Sequence, residues 1–194
     1  KDRESECDNR KILQIGDFLE NVDLKNGMDV VLCKDTLEHV SDPAGFIGKI
    51  LEKSHDKTIF LFQFTLLETL LSGCRFDQIF HQHLNYFTMR SVEYMLKKLG
   101  CEVVDYRINY NHWGVILLAF KKRAKRSVPL KRNPKVKTPD ILERYDVFRS
   151  NMETTNARLS FLKNERVYGY GAALMLPVLA YHLHNDFSNF SRYL

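Results

Sequence analysis

The residues best suited to chemistry lie in one stretch, Phe76-Asp77-Gln78-Ile79-Phe80-His81-Gln82-His83-Leu84-Asn85-Tyr86-Phe87-Thr88. His81 and His83 bracket Gln82, aromatic residues stand on both sides, and Asp77 lies four residues before His81. Imidazole titrates nearest neutrality of all side chains, so a histidine held against a substrate can take or give a proton at physiological pH. Taken alone, a His-x-His pair is more often two packed or surface histidines than a catalytic pair. Two further places carry polar or permissive residues. Asn109-Tyr110-Asn111-His112-Trp113-Gly114 sets a histidine beside the only tryptophan, and Gly169-Tyr170-Gly171 offers a Gly-x-Gly turn. A Gly-x-Gly turn allows close approach to the backbone, and a following helix start can hold an anion.

The surrounding sequence predicts the elements that position these residues. Lys11 to Leu19 begins as an apolar alternation and reaches Gly16-Asp17, a strand running into a turn. Met28 to Cys33 is a continuous apolar run of the kind buried on both faces of a parallel sheet. After the loop Asp35–Val40, Ser41-Asp42-Pro43 opens a helix, with Ser41 or Asp42 as cap and Pro43 at a position where its missing N–H costs nothing. Phe46, Ile47, Ile50 and Leu51 give that helix one apolar face. Thr58 to Phe64 reads as a second buried strand, so strand, helix and strand form a right-handed crossover in a parallel sheet. Leu66–Leu71 reads as a short helix. Thr88 caps another helix, with Val92, Met95, Leu96 and Leu99 on its inner face and Gly100 as its stop. Cys101–Ile108 and Val115–Phe120 follow as strands. Ile141, Tyr145, Phe148, Met152, Thr155, Leu159 and Leu162 recur four and three apart along a long helix over 139–163, a packing stripe of coiled-coil character with Thr155 as its weak point. Arg166–Ala173 opens a second strand-to-helix unit.

Composition narrows the function classes. With 194 residues there is room for one domain or for one and part of another. Cys7, Cys33, Cys74 and Cys101 include no C-x-x-C pair, so the chain offers neither a zinc knuckle nor a disulfide frame, and no metal ligands are assigned. A reducing cytoplasm is the expected setting, and no apolar run reaches the length of a membrane span. The start, Lys1-Asp2-Arg3-Glu4, lacks Met and the end looks cut, so the chain reads as an internal fragment. Of the net charge of +5, residues 121–137 hold nine basic residues and no acids, leaving about −4 elsewhere. That block has two prolines and no aromatic residue, and it is read as a solvated linker ahead of a nucleic-acid reader. It would also favour a nearby anionic substrate.

At this point the sequence resembles a known family. Met28-Asp29-Val30-Val31, Leu37-Glu38-His39-Val40-Ser41-Asp42-Pro43 and Phe46 resemble the fourth strand and following loop of class I S-adenosylmethionine (SAM)-dependent methyltransferases. Phe76 to Phe87 resembles, more specifically, the "fDtiYHEHlsYfs" segment of sugar-nucleotide C-methyltransferases. Asn111-His112-Trp113-Gly114 is similar to that family's "hGGs" loop, and Gly169-Tyr170-Gly171-Ala172-Ala173 to the start of its C-terminal domain.

The resemblance implies an α/β, Rossmann-like SAM-methyltransferase domain over 1–122, lacking its first strand and glycine loop. A basic linker at 123–138 would follow, then a long helix and the start of a second α/β domain over 139–194. It implies zinc only in an amino-terminal module that this chain does not contain. SAM would meet Asp17 and Phe18 at the adenine and Asp35, Thr36 and Glu38 at the methionine end, although Asp17 and Phe18 equally suit a turn aspartate and a core phenylalanine. His83 would act as the base that makes an acceptor carbon nucleophilic, with His81 and Gln82 beside it. Phe80, Tyr86, His112, Trp113, Gly169 and Gly171 would line the nucleotide-sugar site. The sequence departs from the family at Phe80, usually Tyr, at Gln82, usually Glu, and at Trp113 and Val115, usually Gly and Ser. These changes leave open an O- or N-methyltransferase of carbohydrates, or a sugar-nucleotide-binding protein that keeps the fold without catalysis.

Overall fold

The computed structural model describes residues 4–7, 10–13, 27–112, 114–123, 136–162, 164–171, 175–188 and 190–193. Asp17, Phe18 and Trp113, expected at the cofactor and substrate, lie outside them, as do Ala172 and Ala173 and most of the basic segment. Strands β1 (Glu4–Cys7) and β2 (Arg10–Leu13) form an antiparallel pair. The main sheet has four strands in the order β3 (Val30–Lys34), β4 (Ile59–Thr65), β6 (Val115–Lys122) and β5 (Cys101–Asn109). β3 and β4 are parallel, joined through helix α1 (Pro43–Glu52) as the crossover expected, while β6 is antiparallel to both neighbours.

The pleat explains the core. Phe60, Phe62 and Phe64 alternate onto one face of β4, and the register sets them opposite Phe120, Leu118 and Ile116 of β6, all buried. The Phe60 and Phe120 rings stack at 4.9 Å and Phe62 meets Phe120 edge-on at 5.0 Å, an arrangement that adds to plain area burial. Ile47, Ile50 and Leu51 of α1, with Val92 and Leu96 of α3 (Met89–Lys98), belong to the same core. Asp42 caps α1 by accepting from the Gly45 N–H at 2.9 Å, and Thr88 and Ser91 form a reciprocal capping box on α3. The second face of the sheet departs from expectation. Val30 is 55% and Leu32 75% exposed, because among the described residues β3 is an edge strand and helices cover only the other face.

Helix α2 (Leu67–Ser72) follows β4, and the long helix α4 (Thr138–Ser160) packs on it through Phe148, which joins Leu71 and Phe76 in a second apolar cluster. Only the first half of the predicted stripe is used this way. Ile141 and Met152 touch the cluster, whereas Thr155 is exposed and its hydroxyl turns back to the Asn151 carbonyl. The predicted second unit is a β-α-β element, with β7 (Val167–Gly169) parallel to β8 (Phe190–Tyr193) and α5 (Leu176–Leu183) between them in the chain. No helix among the described residues is long and apolar enough to cross a membrane.

Candidate functional site

In an open sheet with parallel strands, ligands gather outside the carboxyl ends of those strands. Here that end of β3 and β4 carries Asp35, Thr36 and a 3-10 turn at Leu37–His39. Asp35 adopts a left-handed backbone with φ of 48°, a conformation that aspartate tolerates better than most residues. Its N–H donates to the Gln63 carbonyl at 2.9 Å, and the Gln63 side-chain amide donates to its carboxylate at 3.0 Å. The carboxylate is thereby fixed yet remains exposed. The Thr36 hydroxyl turns inward to the Lys34 carbonyl at 2.9 Å.

The histidine stretch returns to this end as a loop between α2 and α3. Leu84 and Asn85 donate their N–H groups to the Glu38 carbonyl at 2.9 and 3.1 Å, and the Asn85 side chain donates to the Val40 carbonyl at 2.7 Å. These bonds hold the loop against the 3-10 turn and bring Glu38, His39 and His83 together, one ligating atom from each lying within 4.8 Å of the others. The sequence places Glu38 and His39 as neighbours of the cofactor and does not bring them together with His83. The cue for the cluster was Glu38-His39 in the loop that follows the apolar run Met28–Cys33.

Each member of the cluster is oriented. His83 Nδ1 donates to the Gln78 carbonyl at 2.9 Å and His39 Nδ1 donates to the Gln82 carbonyl at 2.8 Å. A carbonyl can only accept, so in the neutral rings both Nε2 atoms carry the free lone pair. Burial lowers the His83 pKa below its ordinary value against the Gln78 bond and the charge of Glu38, which favours the neutral base. Phe80 lies 4.4 Å from the His83 ring and Tyr86 at 6.3 Å. Burial raises the Tyr86 phenol against an opposing backbone hydrogen bond at Phe80, so the hydroxyl stays a donor. Glu38 is 2% exposed. One carboxylate oxygen takes the Thr65 N–H at 3.4 Å, and the other is buried with no hydrogen-bond partner among the described residues.

Other expected residues lie apart from this cluster. Gln82 contributes its backbone carbonyl, and its side chain is exposed. His81 lines a cavity of about 510 Å3 with Phe76, Tyr145, Pro177 and His182. His112 is exposed on the β5–β6 turn, at the same end of the sheet because Val115 pairs with Thr65. Gly169 ends β7, and Gly171, with φ of 91°, borders a cavity of about 470 Å3 with Arg75, Asp77, Met152 and His182. Asp77 does not reach His81. It is clasped by Arg75 Nε at 2.8 Å and the Arg75 terminal nitrogen at 2.7 Å.

A family model described as a methyltransferase domain matches residues 3–106, more than half of the chain. No curated protein matches. Among solved structures similar to the chain is a SAM-dependent methyltransferase from Clostridium acetobutylicum, at 10% identity and TM-score 0.44, covering 56% of this chain and 63% of that one. Another is magnesium protoporphyrin IX methyltransferase from Synechocystis with bound SAH, at 13% identity and TM-score 0.42, covering 55% and 49%. A third is a chain in the complex of the Haloferax volcanii Trm112 methyltransferase activator, at 13% identity and TM-score 0.42, covering 53% and 58%. The chain thus spans less than two thirds of each of these structures, and the assignment rests on the family model.

Proposed function

The chain belongs to the methyltransferase-domain family, and on that premise we propose that it serves SAM-dependent methyl transfer to a carbon of a nucleotide-linked keto sugar, with His83 as the base. The observation that carries this reading is the His83 ring, half-buried, held at Nδ1 by the Gln78 carbonyl and left with a free Nε2 lone pair. A carbon beside a carbonyl becomes nucleophilic once its proton is removed, and a fixed neutral imidazole suits that removal. The oxygen that gains charge needs a donor, and the Tyr86 hydroxyl, kept protonated by burial, is the candidate. Phe80 has no hydroxyl to share this task and instead gives His83 an apolar wall at 4.4 Å.

The residues at the strand ends fit the methionine portion of SAM. Asp35 is an exposed carboxylate clamped by Gln63, an acceptor suited to an ammonium group. When bound, SAM supplies a methyl group activated on a sulfonium sulfur. Asp35 would hold the cofactor's amino group and Thr36 would shape the loop through its bond to Lys34. His83 would take the acceptor proton onto Nε2. The sugar-nucleotide identity of the acceptor draws support from the resemblance of Phe76–Phe87 to sugar C-methyltransferases.

The test is His83→Ala in the protein carrying this chain. Turnover is expected to fall at least 100-fold, within the range for loss of a general base, with cofactor affinity changed less than about threefold. Equal turnover by variant and parent removes His83 from the mechanism. Product NMR then separates carbon from heteroatom transfer, since C–CH3 and O–CH3 groups resonate in different regions. An O–CH3 signal would replace the carbon acceptor with the oxygen one.

A further inference from the structure

The unpartnered oxygen of Glu38 needs an account. A carboxylate taken out of water without a partner is costly, and a cation or a proton relieves that cost. Glu38 is 2% exposed with one oxygen unpaired among the described residues, and two imidazoles offer ligating atoms within 4.8 Å of it. Both imidazoles donate Nδ1 to a backbone carbonyl, at 2.8 Å for His39 and 2.9 Å for His83. This is the outer hydrogen bond that metal-ligating histidines usually have, fixing the tautomer and aiming Nε2 at the ion. Three features therefore meet in this cluster: a buried orphan oxygen on Glu38, two imidazoles each held at Nδ1, and one ligating atom from each residue within 4.8 Å of the others.

We propose that Glu38, His39 and His83 form a binding site for a divalent transition cation of the Zn2+ type, at the carboxyl end of β3. Two imidazoles and a carboxylate suit Zn2+ or Co2+, whereas Mg2+ and Ca2+ prefer all-oxygen sites. Ligand bonds of about 2.0–2.2 Å place donor atoms a little over 3 Å apart around a tetrahedral ion, so binding draws the three inward. Three protein donors leave one position open for an oxygen ligand. The ion takes the His83 Nε2 lone pair, so an occupied site and a His83 free to accept a proton exclude each other. Metal thereby competes with protonation at that nitrogen.

Cobalt is the probe, since its visible bands report coordination without any need for turnover. Titration of the chain with Co2+ near neutral pH is expected to give absorption that saturates at one ion per chain and is displaced by Zn2+. His39→Ala and Glu38→Gln are expected to weaken binding by at least 10–100-fold, the loss already seen for outer-shell partners. His55→Ala and His184→Ala should leave it unchanged. Circular dichroism checks each variant, and if Glu38→Gln fails to fold, exposed His39→Ala decides alone. No saturable absorption, or undiminished affinity in folded His39→Ala, overturns the site. Because nothing in this test depends on methyl transfer, its failure leaves the base role of His83 standing, and failure of the base role leaves this site standing.

Discussion

Asp77 stands in the same loop as His83, yet its work is structural. Burial acts to raise its pKa, but the hydrogen bonds from Arg75 and Gln78 outweigh that and hold it below its ordinary value. A carboxyl held low in the folded state gives stability that is complete above about pH 4 and is lost as pH falls through its folded value. Asp77→Asn should therefore lower unfolding free energy at pH 7 by roughly 1.5–3 kcal/mol, the usual range for hydrogen bonds to a charged group. The side chain is 26% exposed, so the lower end applies. Urea melts at pH 7 and pH 3 check this: the gap between variant and parent must shrink at pH 3, and an equal gap at both would refute the ionic account. The sequence offered Asp77 as an acid near His81, because spacing names candidates without choosing partners. Arg75, two positions back, captured it through a two-point fit. The motif named His83 as a candidate, but the Gln78 carbonyl that sets its tautomer could not be read from the sequence, since every residue carries a carbonyl.

At the scale of elements, capping and periodicity were informative because they act over a few residues. Asp42 and Pro43 start α1, Thr88 starts α3, and Gly100 with φ of 72° ends it, as their chemistry predicts. The loop carrying His83 leads into α3, so the cap also anchors the site. Thr88→Ala removes the hydroxyl that accepts from the Ser91 N–H, while the backbone N–H of residue 88 can still donate to the Ser91 hydroxyl, and it should cost about 1 kcal/mol. Hydrogen exchange is the sharper readout: faster exchange should concentrate in the first turn of α3, and uniform loosening across the sheet would show the cap is not a local device. Less legible was the exposure of β3. An apolar run predicts burial on two faces, but burial depends on what covers a strand, and Leu32 at 75% exposed has no cover among the described residues. Likewise the stripe on α4 gave the helix but not its partner, since α2 and Phe76 meet only its first half.

For the molecule as a whole, the question is how the long helix and the β-α-β element that follows relate to the four-stranded sheet. Phe148 is 3% exposed and touches the cluster of Leu71 and Phe76, with Tyr145 meeting Phe76 edge-on at 5.2 Å. Phe76 begins the stretch that carries His83, so α4 packs against the start of that loop. Truncating a buried phenylalanine to alanine costs about 3–5 kcal/mol where the site cannot collapse around the gap. Phe148→Ala should therefore detach α4 from α2 while Phe60, Phe62, Phe64 and Phe120 keep the main core intact, because that core shares no residue with the smaller cluster. Exchange measured by residue would show lost protection in α4 and α2 with β4 and β6 amides still slow. Loss of protection in β4 and β6 to the same degree would mean that helix and sheet unfold as one cooperative unit, and the division of the chain near residue 122 would fall with it.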